Sequence, residues 1–474
     1  MRYEINKTDA FWVLAVICAI ASINMPVAEN YTTYRTLGVI ILVETVFFLY
    51  ADYKKCGFNF ATIYVLMVCL FNFGQVFYIG FWPEAMFNKT IVLTYFTYEE
   101  GVNALRWINY AYLIMCGMIL VASKESVVSI NVQNDDAVLE SFRRKAFILI
   151  ILTMPVKILI DGNFLLKTMS GGFEYGKHWL NTFPNFIVTI GNFAMIGAAF
   201  LLIAYKKAPK KQLVVLAVTI AYLLILMLSG RRSENVSYLC ILVFIFIITR
   251  SSNSGFSMKK LLAVIGILVL GYFLLLFLYT VVHIRTETGY SMQSFFEKMA
   301  YYNKKENILL EELREYGQTG YTAICVLQNW LPANGPSYGT SYILGLSSIF
   351  PNVGGLMGTL TESSNFGIAM QKVPGVLNTL YRNIGGNVLG EFFFNFGKLG
   401  ALLASGVLGV IVGKVSRKLM DGIRNVTYSV IYLIPVMFSI LYWVRDYFGD
   451  TIRDIVWGVM ICLVLSKIDE DNPI

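Results

Sequence analysis

Two short charged segments of the chain lie between long apolar runs, and each contains two arginines. Arg231 and Arg232 are adjacent, whereas Arg445 and Arg453 are eight residues apart. A guanidinium stays protonated and offers a planar fork that binds phosphate oxygens in pairs. Arg231 and Arg232 therefore predict a clamp for a lipid diphosphate, and Arg445 and Arg453 are candidates for a direct role with them.

A structural role is the alternative for both segments. Adjacent arginines at a membrane surface also act as anchors that extend toward lipid phosphate. Near the later arginines, Asp446, Asp450 and Asp454 follow an i, i+4, i+8 spacing, which places ion-pair partners on one face if a helix continues through them. The sequence alone leaves open whether this second cluster contacts substrate or forms a salt network.

Two further residues are candidates for a base or for a ligand of a substrate hydroxyl. Glu391 precedes an apolar run, where a carboxylate either favours the positive end of a helix or accepts a proton. His283 ends another apolar run and is predicted as the second catalytic candidate. Arg285 and Arg382, at the two ends of the long segment between these residues, are weaker candidates for substrate binding.

The composition predicts that membrane helices position these residues. The chain is 57% hydrophobic and 14% charged, and a span needs about 20 mostly apolar residues. About twelve such segments occur, so we predict an all-α polytopic membrane protein, a single integral membrane domain over residues 1–474. The predicted spans are Ala10–Ala28, Thr36–Ala51, Phe58–Phe81, Val102–Ala122, Ala146–Asp161, Pro184–Tyr205, Gln212–Leu228, Asn235–Thr249, Leu261–Val282, Phe393–Gly413, Thr427–Val444 and Thr451–Lys467.

The distribution of basic residues predicts the orientation. If the N-terminus is cytoplasmic, the short inward segments contain roughly twice as many Lys and Arg residues as the short outward loops. Both termini are therefore predicted to be cytoplasmic, and the net charge of +8 requires no nucleic-acid partner. Glu44, within the second span, is expected to pair with a cation such as Lys157.

The same orientation places residues 283–386 outside the cytoplasm, as one long loop between helices nine and ten. Ser291–Tyr316 has the pattern of an amphipathic helix at the membrane interface. Tyr321–Leu331 and Tyr342–Phe350 are predicted as short apolar helices ended by Pro332 and Pro351. The remainder is rich in Gly, Ser and Asn and is predicted to be a loop that closes over an outward-facing site.

Several common chemistries have no motif in this sequence. It contains no P-loop, no Cys/His spacing for a metal and no nucleophile elbow. Its single Asp-x-Asp motif, Asp469 to Asp471, lies on the predicted cytoplasmic tail. We therefore predict a metal-independent reaction without a cofactor, in which arginines supply positive charge.

At these residues the chain resembles the Wzy-type polysaccharide polymerases, which polymerise O-antigen or capsular oligosaccharide repeat units. The resemblance is strongest in the C-terminal half of the chain. The order of the motifs along the chain and their place in the membrane topology contribute more to it than any one motif. The matching motifs are Leu228-Ser229-Gly230-Arg231-Arg232, Gly320-Tyr321-Thr322 through Leu331-Pro332, Gly339-Thr340-Ser341-Tyr342 followed by Phe350-Pro351, Gly390 to Gly400, and Val444-Arg445-Asp446.

The resemblance implies a GT-C-like glycosyltransferase in the bacterial cytoplasmic membrane. Its catalytic residues would be Arg231, Arg445, Glu391 and His283, and its substrate-binding residues would be Arg232, Arg453, Arg285 and Arg382. Its substrates would be undecaprenyl diphosphate-linked oligosaccharides within the membrane lipid, with the growing chain transferred to the next lipid-linked unit at the outer face, and a chain-length regulator protein is a possible partner. An O-antigen ligase is one alternative. A lipid-linked oligosaccharide flippase is another, although flippases alternate between two similar halves and no repeat occurs here.

Overall fold

The computed structural model describes the chain in ten ranges: residues 7–27, 31–82, 96–123, 136–180, 182–250, 258–284, 292–305, 307–350, 386–425 and 429–470. Every regular element within these ranges is a helix. The α-helices are α1 Lys7–Asn24, α2 Tyr31–Cys56, α3 Phe60–Phe81, α4 Tyr98–Ala122, α5 Asp136–Gly171, α6 Phe173–Leu180, α7 Asn185–Ala204, α8 Pro209–Met227, α9 Arg232–Arg250, α10 Met258–Ile284, α11 Met292–Lys305, α12 Ile308–Gly317, α13 Gly320–Cys325, α14 Leu331–Asn334, α15 Thr340–Gly345, α16 Val388–Asn425, α17 Ser429–Trp443 and α18 Phe448–Glu470.

Eight of the described helices are long and apolar enough to cross a membrane, namely α1 to α5, α7, α8 and α16. Two shorter stretches are also apolar, namely Leu270–Ile284 within α10 and the whole of α17. Each of the twelve predicted spans overlaps a described helix, so the all-helical membrane fold is confirmed. The number of twelve spans and the GT-C-like arrangement stay predictions.

Helix α5 is longer than the span predicted at Ala146–Asp161. It has 36 residues, which at 1.5 Å per residue is about 54 Å, well beyond a hydrocarbon core of about 30 Å. It ends at Gly171, before Gly172 with a φ of 83°, a conformation that a residue without Cβ adopts readily. Asp161 therefore lies inside a helix rather than at its end.

Helix α16 is interrupted, which makes the prediction of an unbroken span from Phe393 to Gly413 wrong in this respect. Gly397 has φ 66° and ψ −170°, so the backbone leaves the helical region for one residue and the helix direction changes there. After this break Leu399, Leu403 and Val407 recur every fourth residue on one exposed face. An exposed apolar stripe of this kind is typical of a lipid-facing surface.

The chain divides into two compact units. The first, which we call the arginine-445 unit, contains the candidates Arg445, Arg453 and Glu391; the second, the arginine-231 unit, contains Arg231, Arg232 and His283. The arginine-445 unit comprises Met1–Val132, Leu313–Gly422 and Pro435–Val459, and the arginine-231 unit comprises Gln133–Glu312, Ile423–Ile434 and Met460–Ile474. The prediction of one membrane domain over the whole chain stays a prediction.

In the arginine-445 unit, two glycines allow backbone segments to pack in direct contact. A Cβ on Gly317 would lie 2.2 Å from the backbone nitrogen of Gln75, and one on Gly320 would lie 2.4 Å from the carbonyl oxygen of Asn72. Both distances are far below contact range, so only glycine lets the connection between α12 and α13 pack against α3. This packing fixes α13, against which the start of α16 lies.

The described part of the predicted outward loop is helical. Ser291–Tyr316 corresponds to α11 and α12, and Tyr342–Phe350 corresponds to α15 with a 3₁₀ turn over Leu346–Ile349. Pro332 does not end its helix, because the helical path continues to Asn334 through a π-helical stretch over Val326–Trp330. Pro332 is the second residue of α14, which directly follows this π-helical stretch. Pro351 and residues 351–385, including the predicted lid, lie outside the described residues.

Candidate functional site

Glu391 lies in the first turn of α16 and is almost fully buried, with 1% of its surface exposed. Its Oε2 accepts hydrogen bonds from the indole N–H of Trp443 and the backbone N–H of Phe448, both at 3.0 Å. Its Oε1 accepts a hydrogen bond from the hydroxyl of Ser341 at 3.2 Å. The carboxylate therefore connects α15, the end of α17 and the start of α18 within the arginine-445 unit.

A second polar pair holds α15 in place beside this carboxylate. Asn395, one turn after Glu391, donates to the hydroxyl of Ser341 at 2.7 Å and accepts from its backbone N–H at 3.3 Å. The side chain of Asn387 accepts from the N–H of Gly390 at 2.9 Å, which satisfies a free donor at the start of α16. Buried polar groups with this many partners hold a single backbone arrangement.

Aromatic rings enclose the same carboxylate. Tyr342 packs edge-on against Phe448 with ring centroids 4.7 Å apart, and Trp443 lies 5.6 Å from Phe448. Tyr342 also stacks on Phe396, at 5.6 Å. The apolar rings exclude water, so the three donors are the partners that the carboxylate has in place of solvent. Sequence reasoning did not assign Trp443, Ser341 or Asn395 to the site. Ser341 and Asn395 lie within motifs of the family resemblance, but contacts between segments about fifty residues apart leave no local signal in the sequence.

The contacts of Glu391 favour positioning rather than proton transfer. The carboxylate already accepts three hydrogen bonds from groups on three other helices. One of these donors is the N–H of Phe448, which lies in the first turn of α18 and has no partner within that helix. Glu391 therefore caps α18 and fixes the turn that precedes it. The sequence prediction of a catalytic base stays a prediction, and one substitution distinguishes the two roles.

Replacing Glu391 by glutamine is expected to leave the protein stable and its activity largely intact, whereas replacement by alanine is expected to lower stability. Glutamine keeps an acceptor for Trp443 and Phe448, while alanine leaves buried donors without partners at about 1–3 kcal/mol each. The measurements are thermal stability of the purified protein and the activity of the variant in cells. Complete loss of activity in a stable Glu391→Gln protein would support a base instead.

Arg445 lies in the turn between α17 and α18, so no continuous helix runs from Asp446 to Asp454 as the aspartate spacing required. Its guanidinium carbon lies 5.6 Å from the ring centroid of Phe71, a cation–π distance. Gly386 brings the start of α16 against this turn, since a Cβ there would lie 2.3 Å from the carbonyl oxygen of Asp446. Arg445 is therefore a half-buried cation on a turn whose backbone is fixed from two sides.

Acidic residues surround the same turn. Asp446 is buried and its Oδ1 accepts the N–H of Tyr447 at 2.9 Å. Burial raises the pKa of the Asp446 carboxyl well above its usual range, and the charge of Asp450 raises it further. Arg453 pairs with Asp450 at 3.2 Å and with Asp454 at 3.4 Å. The predicted role of these aspartates as ion-pair partners is thereby confirmed for Arg453.

In the arginine-231 unit, Arg231 belongs to a buried network of four charges. Its guanidinium pairs with Asp161 at 3.0 Å and with Glu234, three residues later. Asp161 also pairs with Lys157, one turn earlier on α5, at 3.1 Å. Two cations and two anions thus balance one another in a region where the side chains of Lys157 and Asp161 are at most 5% exposed.

Neutral side chains complete this network and connect four helices. Asn192 on α7 accepts from Lys157 at 3.0 Å and donates to Glu234 at 2.6 Å. Tyr222 on α8 donates to Asp161 at 3.0 Å. Since Glu234 lies on α9, Arg231 joins α5, α7, α8 and α9. The expected pairing of Lys157 with Glu44 is wrong, because Lys157 pairs with Asp161 and Glu44 accepts from Asn109 at 3.3 Å.

Two further candidates lie in the same unit. Arg232 is buried with 6% of its surface exposed and donates to the carbonyl of Leu278 at 3.3 Å. His283 lies at the end of α10 between two tyrosine rings, with centroids 4.2 Å from Tyr279 and 5.1 Å from Tyr302. Its Nδ1 lies 2.9 Å from the carbonyl of Tyr279, which can only accept. Nδ1 is therefore the donor, so in a neutral imidazole Nε2 is the nitrogen with the lone pair that a base requires.

Of the candidates that the structure describes, Arg445, Arg453 and Glu391 belong to the arginine-445 unit, and Arg231, Arg232 and His283 belong to the arginine-231 unit. Arg285 and Arg382 lie outside the described residues, so their predicted role in substrate binding stays a prediction. Among the residues that the structure describes, no group of three His, Cys, Asp or Glu side chains has the arrangement of a metal site.

The comparisons with known proteins give one family. The family model described as O-antigen polysaccharide polymerase Wzy matches residues 10–468, which include every candidate residue above. No curated protein and no solved structure shows a significant match to the chain.

Proposed function

The chain belongs to the O-antigen polysaccharide polymerase Wzy family, and we propose that it joins undecaprenyl diphosphate-linked oligosaccharide repeat units at the outer face of the cytoplasmic membrane. The observation that carries this proposal is the family match over nearly the whole chain, in a protein whose helices are long and apolar enough for the membrane. The membrane location suits substrates whose lipid anchors remain in the bilayer.

The proposed reaction transfers the growing glycan from its lipid diphosphate to the next unit. The hydroxyl oxygen of the acceptor sugar bonds to the anomeric carbon of the growing chain, and the bond from that carbon to the diphosphate oxygen breaks. The lipid diphosphate leaves with the bonding electrons, and the hydroxyl proton passes to a base. Negative charge increases on the departing diphosphate, so a fixed cation there stabilises the transition state more than the ground state.

We assign this cation first to Arg445. It lies on a rigid turn, half-buried against Phe71, and a guanidinium fork suits two phosphate oxygens. Arg231 and Arg453 each pair with two carboxylates and so hold their own helices in place. In this proposal Glu391 is a positioning residue for the turn, because it caps α18 directly after Arg445.

The orientation is part of the same proposal. Both termini are cytoplasmic and the connections that contain Arg231 and Arg445 face outward, as the distribution of basic residues indicates. Lipid-linked repeat units present their sugars on that side after translocation. Accessibility labelling of single cysteines at residues 228–230 and 445–447 from outside the cell measures the orientation directly, and labelling only from the cytoplasmic side would contradict it.

Deletion of the gene in its host is expected to remove long surface glycan while a single repeat unit remains on the surface. The reason is that polymerisation extends units that have already been translocated and that a separate ligase still transfers. Separation of the surface glycan by length, with the wild-type gene restored as control, gives the measurement. Complete loss of surface sugar, with lipid-linked units retained inside the cell, would favour a flippase.

A further inference from the structure

A polar pocket of about 360 Å³ lies at the start of α4 in the arginine-445 unit. Its wall combines side chains from three parts of the chain: the first turns of α4, the π-helical stretch and the residue after the break in α16. The side chains that the following argument uses are Glu99, Glu100, Asn103, Trp107, Gln328 and Lys398. The volume lies within the range of small-ligand sites.

Contacts across the pocket fix its shape. Gln328 donates from Nε2 to the backbone carbonyl of Glu100 at 2.6 Å, across more than two hundred residues of sequence. The ammonium of Lys398 lies 5.4 Å from the ring centroid of Trp107. Thr97 and Glu100 form a capping box that begins α4, with the backbone N–H of Thr97 donating to the Glu100 carboxylate at 2.9 Å. The walls are therefore connected to one another and to a helix end.

Several polar groups in the wall retain hydrogen-bonding capacity. Neither the exposed carboxylate of Glu99 nor the indole N–H of Trp107 forms a hydrogen bond with a described residue. The amide of Asn103 accepts from Arg106 at 3.0 Å and keeps its two donors, and the side-chain oxygen of Gln328 remains an acceptor. An indole surface surrounded by carboxylate and amide groups suits a ring that has an apolar C–H face and a rim of hydroxyls.

We propose that this pocket binds a sugar ring of the lipid-linked repeat unit, and that the preferred ring is uncharged. Glu99, Glu100 and Lys398 sum to one negative charge, so a uronate or phosphate-bearing sugar would meet net repulsion. A cationic ligand is disfavoured too, because the ammonium of Lys398 lies 5.4 Å from the centroid of this indole and would repel a second positive charge. This inference rests on the proposed function for the source of the ligand, and in the proposed orientation the start of α4 faces outward with the other candidates.

The test measures binding of a released glycan rather than polymerisation. The probe is the oligosaccharide repeat unit freed from its lipid diphosphate by mild acid, titrated against the full-length protein in lipid nanodiscs. Wild-type protein is expected to show saturable binding. Trp107→Ala is expected to weaken it by about tenfold, which corresponds to the loss of one aromatic contact, and Glu99→Ala by a smaller factor. Trp82→Ala, which removes an exposed tryptophan that does not line the pocket, is the matched control.

The outcomes separate this inference from the proposed function. The sugar pocket is overturned if both Trp107→Ala and Glu99→Ala leave the affinity unchanged, or if the wild-type protein shows no saturable binding. The polymerase proposal still stands in that case, provided that long glycan forms in cells. Equal weakening by Trp82→Ala also overturns it, since the effect would not belong to the pocket. Glu99 is exposed, so its variant tests the pocket even if Trp107→Ala lowers the amount of folded protein.

Discussion

Replacement of Arg445 by alanine is expected to abolish long-chain glycan while the protein remains in the membrane at normal abundance. Removing one preorganised group that stabilises transition-state charge reduces rates by about 10²–10³-fold, enough to leave single units on the surface. The turn itself should persist, because Glu391 holds the N–H of Phe448 and Gly386 packs against Asp446. Surface glycan length and protein abundance in a deletion strain are the measurements.

Two further variants sharpen this prediction. Arg445→Lys keeps the charge but not the planar fork, so an intermediate chain length is expected. Arg417→Ala is the matched control, because Arg417 lies on the same unit, is 40% exposed and has only a long ion pair of 3.8 Å with Asp421. Normal chain length in Arg445→Ala at normal abundance would remove Arg445 from the site.

Local spacing allowed some of the candidate site to be predicted. Arg453 pairs with Asp450 and Asp454, which lie three residues before it and one after it, so the pairing follows from helix geometry and neighbourhood. Apolar runs likewise predicted the helices, since each span must satisfy its own backbone hydrogen bonds. In both cases the residues that determine the structure lie within a few helical turns of one another in the sequence.

Contacts between distant segments were not predictable in the same way. The pairing of Arg231 with Asp161 joins residues seventy positions apart. Nothing in the segment around Asp161 distinguishes this aspartate from a charged residue that ends a membrane span. The break at Gly397 was missed because hydropathy averages over a window and does not register one residue with positive φ. The capping of α18 by Glu391 was missed for a related reason. Glu391 lies in the first turn of α16, so its position suggests that it stabilises α16, whereas the backbone N–H that it accepts belongs to α18.

The second large effect is expected on protein stability, when Arg231 in the buried network is replaced. Arg231→Gln is expected to lower the amount and stability of folded protein strongly, because it leaves Asp161 and Glu234 with Lys157 as the one remaining cation of the four-charge network. Breaking a buried pair by removing one partner costs about 3–5 kcal/mol. Thermal unfolding of the purified protein and its abundance in membranes are the measurements.

A matched pair elsewhere on the same helices provides the control. Arg143 pairs with Glu140 at the same three-residue spacing, but their side chains are 43% and 51% exposed. Arg143→Gln is therefore expected to change stability by less than about 1 kcal/mol. A stability loss equal to that of Arg231→Gln would show that burial is not the cause, and a stable Arg231→Gln protein would contradict the network account.

The double variant Arg231→Gln with Glu234→Gln decides what Arg231 does. It removes one cation and one anion, so Lys157 and Asp161 remain as a balanced pair and most of the lost stability is expected to return. If long glycan returns together with stability, Arg231 acts by holding α5, α7, α8 and α9 together. If stability returns and long glycan does not, the guanidinium itself contacts substrate, as the sequence alone predicted. The same comparison cannot be made with the single variant, because a destabilised protein loses both properties at once.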